Sequence, residues 1–192
     1  MFPWFSFISY MIIMAITPGP NNIMSMNNAK NVGFKKGIKF NFGILTGLFV
    51  VLILCLIFSS FLYNLVPKVQ FPMKIVGAAY MAYLIIIILV PSKKHKNRSS
   101  NGSYIMGALL QFINPKIMMY GLTSMSTFIL PYYNEIPAQV FFVFLLAFTG
   151  FTCTLLWALF GSLFSMIFDK HGKILNIVMA ILLLYCVVSL FL

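Results

Sequence analysis

Thr17-Pro18-Gly19-Pro20-Asn21 interrupts an apolar run that extends from Met1 to Asn28, and the reading of this stretch decides the fold. Proline has no N–H to donate, and its ring clashes with the preceding turn, so a helix opens there. In water an opened helix is a local defect. In a bilayer it leaves backbone C=O and N–H groups beyond the reach of solvent, and such backbone is tolerated only where the protein itself encloses a polar cavity. The first question is therefore whether this chain lies in a membrane.

Composition answers it. Of 192 residues, 61% are hydrophobic and 8% charged, with a mean hydropathy of +1.00, whereas ordinary soluble domains carry about 25% charged residues. Too few charges exist to cover the surface with solvated groups, which excludes a soluble globular domain. Six apolar segments succeed one another: Met1–Asn28 and Ser103–Leu130, both interrupted, and Phe42–Val66, Pro72–Val90, Ala138–Phe168 and Ile174–Leu192. Each is long enough for the roughly 20 helical residues that cross a hydrocarbon core. None alternates with period two, so helices are expected and not barrel strands. The first lysine is Lys30, too late for the basic start of a signal peptide, and the first segment is expected to be retained.

Charge sets the orientation. Thirteen Lys and Arg against two acids give a formal +11, but the cations cluster between the apolar segments, as a topology bias requires, and nucleic acid is not an expected partner. The first loop holds Lys30, Lys35, Lys36 and Lys39, the third Lys93, Lys94, Lys96 and Arg98, and the fifth Lys170 and Lys173; the second holds only Lys68 and Lys74, and the fourth none. Odd loops are then cytoplasmic and both termini outside. Three segments and then three more suggest an inverted repeat, the symmetry of many transporters. Lys74-Ile75-Val76 with Met81-Ala82, set against Lys173-Ile174-Leu175 with Met179-Ala180, lends it weak support.

Asn114-Pro115-Lys116 interrupts the fourth segment, the counterpart of the first. Single prolines often do no more than kink a membrane helix. Paired breaks in corresponding segments point to a transporter's binding site, because half-helix ends offer N–H groups to anions and C=O groups to cations. Lys116 lies near the middle of its segment, where an unpaired charge costs at least ~3 kcal/mol. Neither carboxylate, Glu135 or Asp169, lies within a segment to pair with it. A substrate carboxylate, nearby carbonyls or cavity water are its expected partners; otherwise burial leaves it neutral, or it serves as a polar anchor. Small and polar residues recur at helical spacing in Ser103, Gly107, Gln111, Asn114, Met118 and Gly121, and again in Gly150, Thr154, Trp157, Gly161 and Ser165. Close helix packing accounts for most of the glycines, while Gln111, Asn114, Thr154 and Trp157 are candidates for a cavity lining.

Other chemistry finds no foothold in the sequence. A Walker A sequence, GxSxG and HExxH are all lacking. Cys55, Cys153 and Cys186 are far apart in apolar runs, and His95 and His171 sit in basic loops, so neither a metal site nor a cofactor is expected.

With those residues in place, the chain resembles the lysine-exporter (LysE/RhtB) family of small bacterial amino-acid exporters over essentially its whole length. The resemblance rests on Thr17-Pro18-Gly19-Pro20-Asn21, on Gly33, Gly37, Gly43 and Gly47, on Gly77-Ala78-Ala79-Tyr80, and on Asn114-Pro115-Lys116. Leu110-Gln111-Phe112, Ser126-Thr127-Phe128, Trp157-Ala158-Leu159 and Leu175-Asn176-Ile177-Val178 resemble the branch that handles cysteine and O-acetylserine. The resemblance implies efflux of small neutral amino acids across the cytoplasmic membrane, driven by the proton gradient. Two departures stand out. Ile85 takes a place where many relatives have glycine, and the lack of a carboxylate within any segment argues against a simple Asp/Glu proton relay.

The expectation is therefore an all-α membrane protein of six transmembrane helices, built as two inverted three-helix repeats with helices one and four broken at their Pro motifs. It forms a single transmembrane domain: repeat one over 1–90, a cytoplasmic basic loop over 91–102 and repeat two over 103–192. The expected partners are a small amino-acid substrate, protons and membrane lipid, and a homo-oligomer is compatible with the sequence. The substrate site is expected at Thr17, Pro18, Gly19, Pro20, Asn21, Gln111, Asn114, Pro115, Lys116, Thr154 and Trp157, with Asn21 and Asn114 holding the charged ends of a zwitterion. Its rivals are a passive channel or permease for small polar solutes or ions and a membrane-embedded enzyme, the latter lacking any cluster of catalytic residues at one depth.

Overall fold

A computed structural model describes residues 1–58, 103–167 and 172–189, together with isolated positions between 75 and 89. Among the described residues every regular element is helical and no strand occurs. The elements are α1 (Trp4–Ile16), α2 (Pro20–Val32), α3 (Phe34–Ile57), α4 (Tyr104–Ile113), α5 (Pro115–Thr123), a π-helical turn (Ser124–Ile129), α6 (Ile136–Ile167) and α7 (Gly172–Ser189). Among the described residues two stretches, Phe34–Ile57 and Ile136–Leu163, are long and apolar enough to cross a bilayer. The end of the second expected segment, the basic loop at 91–102 and, isolated positions apart, the third segment lie outside the described residues.

The first basic loop differs from its expectation. Only Gly33, at φ +82°, separates α2 from α3; its N–H closes α2 on the Ala29 carbonyl at 2.9 Å. This is the left-handed turn that glycine permits at a helix end. Lys35, Lys36 and Lys39 stand on the exposed side of the first turns of α3, while Gly37, Phe40, Asn41 and Ile44 turn inward. Lysine is a good helix former, so a drop in hydropathy marked a change of exposure and not the end of a helix.

Close backbone approach holds the helices together. A Cβ at Gly43 would lie 1.9 Å from the Tyr104 carbonyl oxygen, one at Gly47 2.4 Å from that of Ala108, and one at Gly107 2.2 Å from that of Phe40. Backbone thus lies on backbone along α3 and α4, and Gly161 of α6 meets the Met26 carbonyl of α2 in the same way, at 2.2 Å. The packing role expected of these glycines is what they perform. Lipid is as apolar as leucine, so such contact, and not escape from solvent, drives association in a bilayer.

Two apolar clusters flank the middle of the molecule. Phe7, Met11, Leu48, Leu52, Met125, Phe142 and Leu146 join α1, α3, the π-helical turn and α6. Ile23, Met26, Phe40, Ile44, Leu110, Met179 and Leu183 join α2, α3, α4 and α7. Ile44 of one cluster and Leu48 of the other line the same cavity, which sets the site between them.

Candidate functional site

Helix α1 ends at Ile16 and α2 begins at Pro20, with Thr17, Pro18 and Gly19 outside either helix. The last carbonyls of α1 lack intrahelical partners, as at any helix end, and here donors from other parts of the chain reach them. The Asn22 amide donates to Ala15 O at 3.0 Å and Thr17 O at 2.8 Å. Trp157 Nε1 donates to Ile16 O at 3.0 Å. Lys116 Nζ donates to Thr17 O at 2.7 Å and to Thr17 Oγ1 at 2.9 Å. The negative end of the α1 dipole favours a cation at that place.

At the second interruption only Asn114 leaves the helical conformation, at φ −85° and ψ 103°. It caps α5 itself: its Oδ1 accepts from the Lys116 N–H at 3.1 Å. Proline at the next position needs no donor there. Pro20 has the same first-turn place in α2, and both prolines are buried.

Amides join the two interruptions. Asn21 Nδ2 donates to Gln111 Oε1 at 2.7 Å, and Asn21 Oδ1 accepts from Gln111 Nε2 and Asn114 Nδ2, each at 3.1 Å. Gln111 also donates to the Gly107 carbonyl at 2.9 Å. All three side chains are buried, where an unmade hydrogen bond is costly. Asn21 and Asn114, expected to hold the ends of a zwitterion, thus hold each other.

Around this clamp lies a small cavity with an open mouth. Gly19, Asn21, Asn114, Lys116 and Thr154 line it, joined by Asn22, Ile44, Leu48, Tyr120 and Gly150. Gly19 supplies room: a Cβ there would meet Lys116 Cδ at 3.1 Å and Nζ at 3.2 Å. Of the remaining expected residues, Thr17 binds the ammonium, and Gln111 and Trp157 act on the lining from behind through the hydrogen bonds above. Thr154 turns its hydroxyl to the Phe151 carbonyl at 2.8 Å. Pro18 stands in the middle of the non-helical link between α1 and α2.

Asn22 and Tyr120 are the polar lining residues that sequence reasoning misses, beside the apolar Met14, Ala15, Ile44, Leu48 and Ile117 and Gly150. The signal for Asn22 lay in its place just past a break, from which a side-chain amide can fold back onto the carbonyls of the preceding helix. Tyr120 lies four residues after Lys116, hence on the same face of α5; its hydroxyl donates to Leu146 O at 3.2 Å, and its ring stacks on Tyr10 with centroids 6.4 Å apart.

Known proteins are similar to this chain in sequence over nearly all of its length. A family model described as LysE type translocator matches residues 12–192. Proteins named cysteine/O-acetylserine efflux protein from Escherichia coli strain K12, Shigella flexneri serotype 5b and Shigella sonnei are each 37% identical over 187 residues, covering 97% of this chain and 96% of theirs. No solved structure matches the chain.

Proposed function

The chain belongs to the LysE-type translocator family and is a transporter, not an enzyme; on that premise we propose that it is a secondary active exporter of small neutral amino acids of the cysteine and O-acetylserine kind. It spans the bacterial cytoplasmic membrane six times as two inverted three-helix repeats, with odd loops cytoplasmic and both termini outside. Export is proton-coupled and proceeds by alternating access. The names of relatives that cover nearly the whole chain support the substrate class. One observation carries the mechanism: residues of both interruptions, Gly19 and Asn21 from one and Asn114 and Lys116 from the other, line one cavity.

The chemistry suits a zwitterion. Carbonyls at the end of α1 favour an ammonium, and the first turn of α2, entered through Gly19, offers N–H groups to a carboxylate. Thr154 and Tyr120 add polar contacts, while Ile44 and Leu48 give an apolar wall to a short side chain. Asn21, Gln111 and Asn114 fix the two interruptions relative to each other, so that both half-helix ends face the same space. A substrate bound between the two repeats is released to either side as they rock about this site.

Vesicles containing the purified chain and loaded with radiolabelled O-acetyl-L-serine test the proposal. Efflux that accelerates when a proton gradient is imposed, and that supports uphill accumulation in inverted vesicles, is the expected result. Flux that only dissipates a gradient would indicate a passive permease. Lys116→Met is expected to lose the response to the proton gradient; transport with an unaltered response would remove Lys116 from the mechanism.

A further inference from the structure

We infer, resting on the export reading above, that Thr17 is the subsite for the substrate's α-ammonium group and that the Lys116 ammonium occupies it in this structure as a tethered surrogate. Thr17 presents two oxygens to one nitrogen, its carbonyl at 2.7 Å and its hydroxyl at 2.9 Å from Lys116 Nζ. The hydroxyl donates to Met14 O at 3.3 Å, which turns its lone pairs toward the cation. An ammonium is all donor, and both Thr17 oxygens are used here as acceptors. The subsite stands at the carbonyl end of α1, where a positive charge is favoured, and Gly19 leaves room beside it for the lysine chain.

A primary ammonium on a free amino acid has the same chemistry as the end of the lysine side chain, so the two compete for one place. Like charges side by side disfavour each other. Entry of the substrate's ammonium therefore drives Lys116 from Thr17 and favours loss of its proton: the N–H bond of Lys116 breaks, its electron pair stays on Nζ, and the proton passes to water on the side from which the substrate entered. After the substrate leaves on the opposite side, Lys116 takes a proton from water there and returns to Thr17. One amino acid moves out for one proton moving in, without a carboxylate relay.

Two isomers separate this subsite from a merely structural lysine. O-Acetyl-L-serine carries a free ammonium; N-acetyl-L-serine has the same atoms with the nitrogen blocked. Purified full-length protein in weakly buffered detergent solution, read with a pH-sensitive dye, is expected to release about one proton per O-acetyl-L-serine bound. N-Acetyl-L-serine should bind about tenfold more weakly or worse, since a charged hydrogen-bond partner is lost, and release none. Lys116→Arg keeps a permanent cation on Thr17 and should block both proton release and gradient-driven efflux, whereas Lys116→Met should release no proton yet let O-acetyl-L-serine run downhill. Equal binding and equal proton release by the two isomers of the wild-type chain, or gradient-driven export by Lys116→Arg, would overturn the subsite while leaving export intact. Wild-type vesicles that carry neither cysteine nor O-acetyl-L-serine would overturn the export reading and the subsite together.

Discussion

The two interruptions have similar sequences and different structures. At the first, Thr17, Pro18 and Gly19 separate α1 from α2, and the carbonyls left at the end of α1 are met by side chains from elsewhere: Asn22, Lys116 and Trp157. At the second, one residue leaves the helix, and that residue caps the helix it starts. At the first the freed carbonyls take donors from α2, α5 and α6, and the second is a closed joint that delivers Lys116 to them. Proline opens a helix in both places, but the outcome depends on whether the freed groups are satisfied from within or from outside.

Breaking the bridge between them should have the largest effect. Asn21→Leu strands the Gln111 and Asn114 amides in a buried site, and at 1–3 kcal/mol for each orphaned group the loss should be about 4 kcal/mol. A fall in the thermal midpoint of the detergent-solubilised protein, with loss of export, is the expected readout; a midpoint unchanged from wild type would mean that the clamp does not hold the interruptions together. Asn114→Ala should cost about 2 kcal/mol through loss of the cap and of one bridging bond. Asn114→Ser restores a good cap, and should recover about half of that stability, because the bond to Asn21 stays lost.

Smaller changes at the first interruption should separate receiving from closing. Asn22→Ala removes donors from Ala15 O and Thr17 O and should cost about 1.5 kcal/mol. The difference from Asn114→Ala lies in transport: Asn22→Ala should raise the substrate concentration for half-maximal efflux, whereas Asn114→Ser should leave that constant nearer the wild type. Trp157→Phe keeps a smaller aromatic ring and loses the indole hydrogen bond to Ile16 O, for about 1 kcal/mol and the smallest change in efflux. Equal transport defects in Asn22→Ala and Asn114→Ser variants would erase the distinction between the interruptions.

Much of this was legible in the chain. Proline suits the first turn of a helix and not its interior, so the end of α1, the start of α2, the end of α4 and the start of α5 fall at Pro18, Pro20 and Pro115. The glycine spacings at 43, 47, 107 and 161 announced close packing, because few other residues let backbones meet. Hydropathy failed where exposure and helicity part company. Lys35, Lys36 and Lys39 look like a loop and are helical, and α2, rich in asparagine, is buried over most of its length, while the apolar α1 exposes Trp4, Phe5, Ile8, Ile12 and Ile13. In a bilayer apolar surface can face outward without penalty, and polar groups must find partners within, so hydropathy does not tell the buried side of a helix from the exposed one.

By itself the chain's order of residues determined that this is a helical membrane protein with helices opened at two proline motifs and one lysine set deep among apolar neighbours. Those are local properties: a ring without an N–H, a run of side chains too greasy for water, a charge with no acid nearby in its segment. Which partners the freed groups take was decided only by the tertiary structure. Asn21 meets Gln111 and Asn114, and Lys116 meets Thr17, across separations of 90 to 99 residues, and a hydrogen bond depends on distance and direction in space, which sequence spacing does not encode.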